Sequence, residues 1–315
     1  MPLQYDPEFR QEAEPLLLQR AGIPKPALHD VATRRAMMAA MTISLPPLPD
    51  GIKKLEYLVP TKDGNQVPVY HFRRRGESEN EREPAVIHIH GGGFIALSAE
   101  QCATLHIKSV SRTGVQILTI DYRLAPEHPY PAPLNDCWAV LQWVHANATQ
   151  LSIDPGRIAV MGESAGGGIA AALTLLARDY ALSPPIAKQI LNYPMLDDRT
   201  VTNHAGDLAF WDEVDNLTAW TAYVGSDVGT DKIKAYAAPA RVEDVSGLPP
   251  LYLECPQLDM FVHEGLDYAR RFMAANIPTE LHVYPGLPHG FEGLGPSGRL
   301  AQQAYANRDR AMTSF

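Results

Sequence analysis

Apolar residues recur at helical spacing through the first 45 positions, as in "PEFRQEAEPLLLQ" and "LHDVATRRAMMAAM", and the segment ends in "LPPLPD". This pattern predicts two amphipathic helices and a proline stop before the main fold. From residue 55 the period changes. "KLEYLVP" and "VPVYHFRRR" read as half-buried strands, followed by the polar loop "GESENEREP". Six apolar runs of strand length then follow: "AVIHIH", "VQILTIDY", "RIAVMG", "KQILNYP", "LYLEC" and "ELHVYP". Helical stretches are predicted near 99–113, 134–148, 165–180 and 262–275, with a further helical segment at the C-terminus. Strands without strict alternation, separated by amphipathic helices, indicate an α/β fold with a mostly parallel sheet covered on both faces. Reactive groups in such a sheet gather beyond the C-terminal strand ends.

The interval 203–236 breaks this rhythm. "NHAGDLAFWDEVDNLTAWTAYVG" holds two of the four tryptophans in helical surroundings and makes an unusually long excursion between strands. The expected organisation is therefore a pair of N-terminal cap helices over 1–50 and a catalytic domain over 51–315, with a cap insertion at about 203–236.

Composition narrows the classes of function. The 315 residues carry a formal charge of −9 without an acidic block, which argues against nucleic acid as a partner; "RRR" at 73–75 does not reverse that. No cationic start followed by an apolar core opens the chain, and no apolar run is long enough to span a bilayer, so a soluble cytoplasmic protein is expected. Cys102, Cys137 and Cys255 are scattered and form no C-x-x-C pair, so each is expected to be a small buried hydrophobe and not part of a disulfide framework or a cysteine zinc site.

Two turns carry candidate chemistry. Three contiguous glycines in "IHIHGGGFIAL" follow a strand, and such a run exposes backbone N–H groups that bind anions. A phosphate loop would need a lysine followed by serine or threonine, and a dinucleotide fingerprint would need spaced glycines; neither is present. The second turn, "GESAG" at 162–166, meets the G-x-S-x-G pattern between a strand and an alanine-rich helix. A side chain two residues to either side of the serine would crowd this sharp turn, so the pattern marks a nucleophile elbow with Ser164 as the attacking residue.

A serine hydroxyl needs a positioned base. Among eleven histidines, His289 in "VYPGLPHGFEG" stands after the last strand-like run, whereas His128, His263 and His282 fit surface or packing roles. Asp259 follows "LYLEC" and is the preferred acid, with Glu254 and Glu264 as rivals. His90 is assigned to holding the glycine loop in shape by hydrogen bonds.

Taken together, "HGGGF" at 90–94, "DYRLAPEHPYPAPLND" at 121–136, "GESAGGG" at 162–168, "LDMFVHEG" at 258–265 and "YPGLPHGFE" at 284–292 resemble the hormone-sensitive lipase-like branch of the α/β-hydrolases, and within it the microbial carboxylesterases. The resemblance implies an eight-stranded, mostly parallel sheet with helices on both faces, a small helical cap, and ester hydrolysis without a cofactor or metal. It places Ser164, Asp259 and His289 at the family's nucleophile, acid and base. It places Gly92, Gly93 and Ala165 at the oxyanion hole, with Gly91 making room for the turn and Glu163 supporting the loops around the serine. Asp121, Arg123 and Glu127 match a structural charged turn. Pro256 stands where the family usually has glycine, which predicts an altered path for the acid loop.

The expected activity is hydrolysis of short- to medium-chain carboxylic esters through an acyl-enzyme. The same triad also permits amide or lactone hydrolysis, and a non-catalytic ligand-binding protein is the alternative of another class. The expected partner is a small-molecule ester, with the chain a monomer or a homo-oligomer such as a dimer.

Overall fold

A computed structural model describes residues 2–41, 48–76 and 82–315. The start of the expected proline stop and most of the polar loop after residue 76 lie outside the described residues. Elements run in the order α1 (Pro7–Ala21), α2 (Val31–Met41), β1 (Ile52–Pro60), β2 (Gln66–Arg74), β3 (Glu83–Ile89), α3 (Ala99–Thr113), β4 (Gln116–Ile120), α4 (Ala132–Ala146), α5 (Ala148–Leu151), β5 (Ile153–Glu163) and α6 (Ala165–Asp179). They continue with β6 (Lys188–Asn192), α7 (Glu213–Val224), β7 (Leu251–Leu258), α8 (Val262–Ala274), β8 (Thr279–Pro288) and α9 (Arg299–Thr313).

The eight strands form one sheet in the order β1-β2-β4-β3-β5-β6-β7-β8. β1–β2 and β2–β4 pair antiparallel, and every later pair is parallel. Neighbouring residues of the central strands point to opposite faces, as the two-residue strand period demands. Val86, Ile117, Ala159, Met161 and Ile190 pack under α3 and α9, through Ala103, Ile107, Val110 and Met312. Ile87, Ile89, Leu118 and Val160 face α4, α6 and α8. Burial on both faces explains why these strands read as continuous apolar runs.

Both N-terminal helices form, but α1 lacks the expected apolar face: it buries Phe9 and Ala13 while Leu16 and Leu18 stay exposed, because only its first half packs on the fold. Asp6 caps α1 by accepting from the N–H groups of Glu8 and Phe9. Phe9 and Ala13 pack with Leu287, Phe291, Leu300 and Ala304, tying α1 to the chain after β8. The second helix and its approach are tied by charge to the 203–236 segment: Arg34 Nε lies 2.8 Å from Asp215 Oδ1 and Lys25 Nζ 2.5 Å from Asp212 Oδ2. Asp212 also caps α7, so one carboxylate serves the helix terminus and the crossing contact. Arg35 reaches the other way, to Glu127 and to the carbonyl oxygens of Ile95 and Ala125.

Cys137 and Cys255 are buried free thiols as expected; Cys102 is only half-buried, because its position on α3 lies at the margin of the helix's packed face. No helix among the described residues is long and apolar enough to cross a membrane.

Candidate active site

Ser164 occupies the junction between β5 and α6 at φ 54° and ψ −122°. An L-residue at positive φ is strained, and surrounding hydrogen bonds hold this one in place. Its N–H donates to the Asn192 carbonyl at 3.0 Å, while its carbonyl accepts from the N–H groups of Met195 at 2.9 Å and Gly168 at 3.1 Å. The crowding expected around the serine is visible at Gly166. A Cβ there would stand 2.1 Å from the Ile89 carbonyl oxygen and 2.3 Å from that of His90. Only a glycine lets α6 begin so close to β3.

His289 lies just beyond β8. Its Nδ1 is 2.6 Å from Asp259 Oδ2 and its Nε2 is 2.9 Å from Ser164 Oγ. Asp259 directly follows β7, and its other oxygen accepts the Phe261 N–H at 3.0 Å. The three groups are 1%, 7% and 11% exposed for Asp259, Ser164 and the His289 side chain. An ionised carboxylate only accepts hydrogen bonds, so the Nδ1 proton points at Asp259 and Nε2 is left to accept the serine proton. Phe261 and Tyr193 stand edge-on to the imidazole, with ring centroids 5.3 and 4.9 Å away.

The rival acids are engaged elsewhere. Glu254 pairs with Arg308 and accepts from the Tyr252 hydroxyl at 2.7 Å. Glu264 accepts from the Leu196 N–H at 2.6 Å and is hydrogen-bonded to Thr200. β7 continues through Pro256, and its register with β8 shifts between Pro256 and Leu258. The irregularity ends before Asp259, which still meets His289.

The glycine loop turns through a run of left-handed residues, with φ of 110° at Gly92, 61° at Gly93 and 63° at Phe94. At Gly92 a Cβ would stand 2.0 Å from the Ala96 carbonyl oxygen. Phe94 is held by stacking on Tyr223, ring centroids 4.0 Å apart, and its carbonyl accepts from Ala125 at 3.0 Å. Gly91 lies against the elbow: a Cβ there would be 3.1 Å from the Glu163 carbonyl oxygen and 3.4 Å from Ser164 Cβ. Ala165 opens α6, where the first N–H groups have no partner within the helix.

His90 is fully buried. Its Nδ1 is 2.7 Å from the Gly91 carbonyl oxygen and its ring stacks on Tyr122, whose hydroxyl donates to the His90 carbonyl at 2.8 Å. Burial pushes this imidazole down to about 4, so it is neutral at pH 7. Glu163 contacts His88 Nε2 at 2.6 Å and accepts from Asn192 Nδ2 at 3.1 Å. Burial alone would raise its carboxyl, but His88, His106 and Arg308 outweigh that and hold it at about 2.

Several residues of the site escape a motif reading. Asn192 and Tyr193 stand at the end of β6, where the position beyond a strand's C-terminus is the available signal. Trp211 lies over the glycine loop and 6.4 Å from the His289 ring, centroid to centroid. Arg308, on α9, carries no local signal at all. An apolar cavity of about 290 Å3 lies elsewhere, lined by Leu28, Val201, Val214, Leu217 and Trp220, among others, and by none of the three linked residues.

Comparison with known proteins agrees with this architecture. Esterase LipI of Mycobacterium tuberculosis is 37% identical over 214 residues, covering 67% of this chain and 66% of that protein. Carboxylesterase NlhH of the same organism is 36% identical over 214 residues, 66% of each chain. The chain thus matches just under two thirds of the length of these curated relatives. A solved bacterial heroin esterase superposes with a TM-score of 0.90 at 35% identity, covering 98% of this chain and 97% of that one. A family model described as the alpha/beta hydrolase fold matches residues 86–293, the span from β3 to the turn after His289. The chain belongs to the α/β-hydrolase fold family, in its hormone-sensitive lipase-like branch.

Proposed function

We propose that this protein is a serine carboxylesterase that hydrolyses short- to medium-chain carboxylic esters through an acyl-enzyme. The observation that carries the reading is the unbroken chain of hydrogen bonds from Asp259 through both nitrogens of His289 to Ser164 Oγ. The family and the esterase names of its relatives support the choice of ester substrates.

As the Ser164 hydroxyl attacks the ester carbonyl, His289 Nε2 takes its proton and Asp259 stabilises the imidazolium. The carbonyl oxygen becomes an oxyanion facing the N–H groups of Gly92, Gly93 and Ala165. Each such donor contributes roughly 3 kcal/mol to the transition state. His289 then returns the proton to the departing alcohol, leaving the acyl group on Ser164. Water repeats the sequence and releases the acid. The groups this chain supplies complete the cycle without a cofactor.

Residues 1–50 and the 203–236 segment act in this reading as a cap that shapes access to Ser164. Their ion pairs, Arg34 with Asp215 and Lys25 with Asp212, join the two parts. Location in the cytoplasm and a monomeric or dimeric state complete the proposal; cell fractionation and sedimentation test them.

The central test is a burst assay with an activated short-chain aryl ester. Wild type is expected to release one equivalent of alcohol ahead of steady turnover, and Ser164→Ala to show neither. Burst and turnover retained in Ser164→Ala would remove the nucleophile assignment. Matched anilide and lactone substrates then separate esterase from amidase or lactonase activity.

A further inference from the structure

One cluster of potential ligands lies outside the proposed reaction path. His88 on β3, His106 on α3 and Glu163 at the end of β5 each offer one ligand atom, and the three atoms lie within 4.8 Å of one another. His88 and His106 bring their rings to 3.6 Å between centroids. We infer that these residues form a binding site for a divalent transition-metal ion of the zinc or copper kind, through which the ion inhibits the neighbouring serine.

Two observations carry the inference. Two imidazoles and a carboxylate make a donor set that zinc accepts in tetrahedral sites, with the fourth position left to water. Ligand distances of about 2.0–2.2 Å put tetrahedral donors roughly 3.5 Å apart. The His88 Nε2 to Glu163 Oε2 separation of 2.6 Å must therefore open by only about an ångström. The second is access. His88 and His106 are 0% and 6% exposed, whereas the Glu163 side chain is 16% exposed, so the carboxylate forms the outer wall that an ion would pass.

The donor chemistry also selects the ion. Imidazole donors suit zinc and copper, while magnesium and calcium prefer oxygen donors. The Arg308 charge acts on Glu163, but that guanidinium is itself paired with Glu254 and Glu292.

Inhibition follows from position. Glu163 immediately precedes Ser164, and its second oxygen accepts from the Asn192 side chain, while the Asn192 carbonyl accepts the Ser164 N–H. An ion that moves Glu163 out of its contact with His88 disturbs both sides of a turn already at positive φ. The expected kinetic signature is a fall in kcat with KM little changed, because substrate does not meet the ion.

Binding is independent of the esterase reading, whereas the inhibitory consequence rests on it. Zn2+ binding by the full chain is therefore measured directly, by competition with a chromophoric chelator, for wild type and His106→Gln. One ion per chain is expected for wild type, with affinity at least tenfold weaker in His106→Gln and inhibition weakened in parallel. Equal binding and equal inhibition in the two proteins would overturn the site. X-ray absorption of the zinc-loaded wild type provides a readout that needs no variant. Two imidazoles with oxygen ligands at about 2.0–2.2 Å are expected; a shell containing sulfur, or one with a single imidazole, refutes the assignment. If His106-dependent binding is found in a chain that turns over no ester, the esterase reading falls and the metal site stands.

Discussion

Tyr193 stands edge-on to His289 with ring centroids 4.9 Å apart, and its hydroxyl donates to both oxygens of Glu292 at 3.0 Å. Glu292 in turn contacts Arg308, which also binds Glu254. The ring beside the base is thereby anchored to a buried ionic network that ties α9 to the middle of β7 and to the turn after β8.

Arg308→Met leaves Glu254 and Glu292 buried without their cation. Breaking a buried pair by removing one partner costs about 3–5 kcal/mol. Urea unfolding is expected to show a loss of that size, with kcat reduced as Tyr193 loses its anchor. Replacing Glu254, Glu292 and Arg308 together by apolar residues of similar volume is expected to recover much of the stability. A single-variant loss below about 1 kcal/mol, the scale of an exposed ion pair, would show that the network is not held away from water.

Asp259→Asn keeps the shape of the acid but removes its negative charge and lets the side-chain amide face Nδ1. Loss of the correct tautomer lowers kcat by about 10^4 in triads of this kind. The expected outcome is a fall of that order with Tm nearly unchanged. Glu264→Gln, whose side chain contacts Leu196 and Thr200 and not the imidazole, is expected to leave kcat within a few-fold of wild type. The reverse ranking of the two variants would assign the acid to Glu264.

Gly93→Ala places a methyl group 2.5 Å from Trp211 Cη2 and at φ 61°, a conformation that alanine resists. The loop must shift, taking one proposed oxyanion donor out of line. A drop in kcat of about 10^2–10^3 is expected from loss of such a donor. In the double variant Gly93→Ala/Trp211→Ala the steric contact is gone and part of the rate returns. No recovery would place the cause in the backbone conformation alone.

Acid should unfold this protein from mildly low pH. Burial holds His71 and His90 down at about 4, below the ordinary 6.5. Each is a base whose folded value is depressed, so its contribution is fully present above pH 6.5 and is lost as pH falls through about 4. Tm measured from pH 7 to pH 4 is expected to fall across that window. His71→Gln removes one titrating group and should flatten the curve; an unchanged slope would show that His71 does not take up a proton on unfolding.

Much of the fold is legible along the chain because it rests on local periodicity. The runs around Ile87, Ile117, Val160, Ile190 and Leu253 read as strands because both faces of a central sheet are buried. Ser164, Asp259 and His289 each stand beyond the C-terminal end of a strand, so motif and position together mark them before any contact is known. Pro256 is readable in the sequence, but the register shift between it and Leu258 exists only in the pairing of β7 with β8.

The contacts of Tyr193, Glu292 and Arg308 have no such local signature. Arg308 is 54 residues from Glu254 in sequence, and nothing in the amphipathic pattern of α9 distinguishes a buried guanidinium from a solvated one. The same holds for His88 and His106: each looks like an ordinary residue of a strand or helix, and only the packing of α3 across β3 sets their rings together. Hydrophobic periodicity and turn chemistry act between near neighbours and can be read from order alone. Which polar groups share a buried volume is decided when distant elements close around them, because the pairing follows from distances that chain order does not contain.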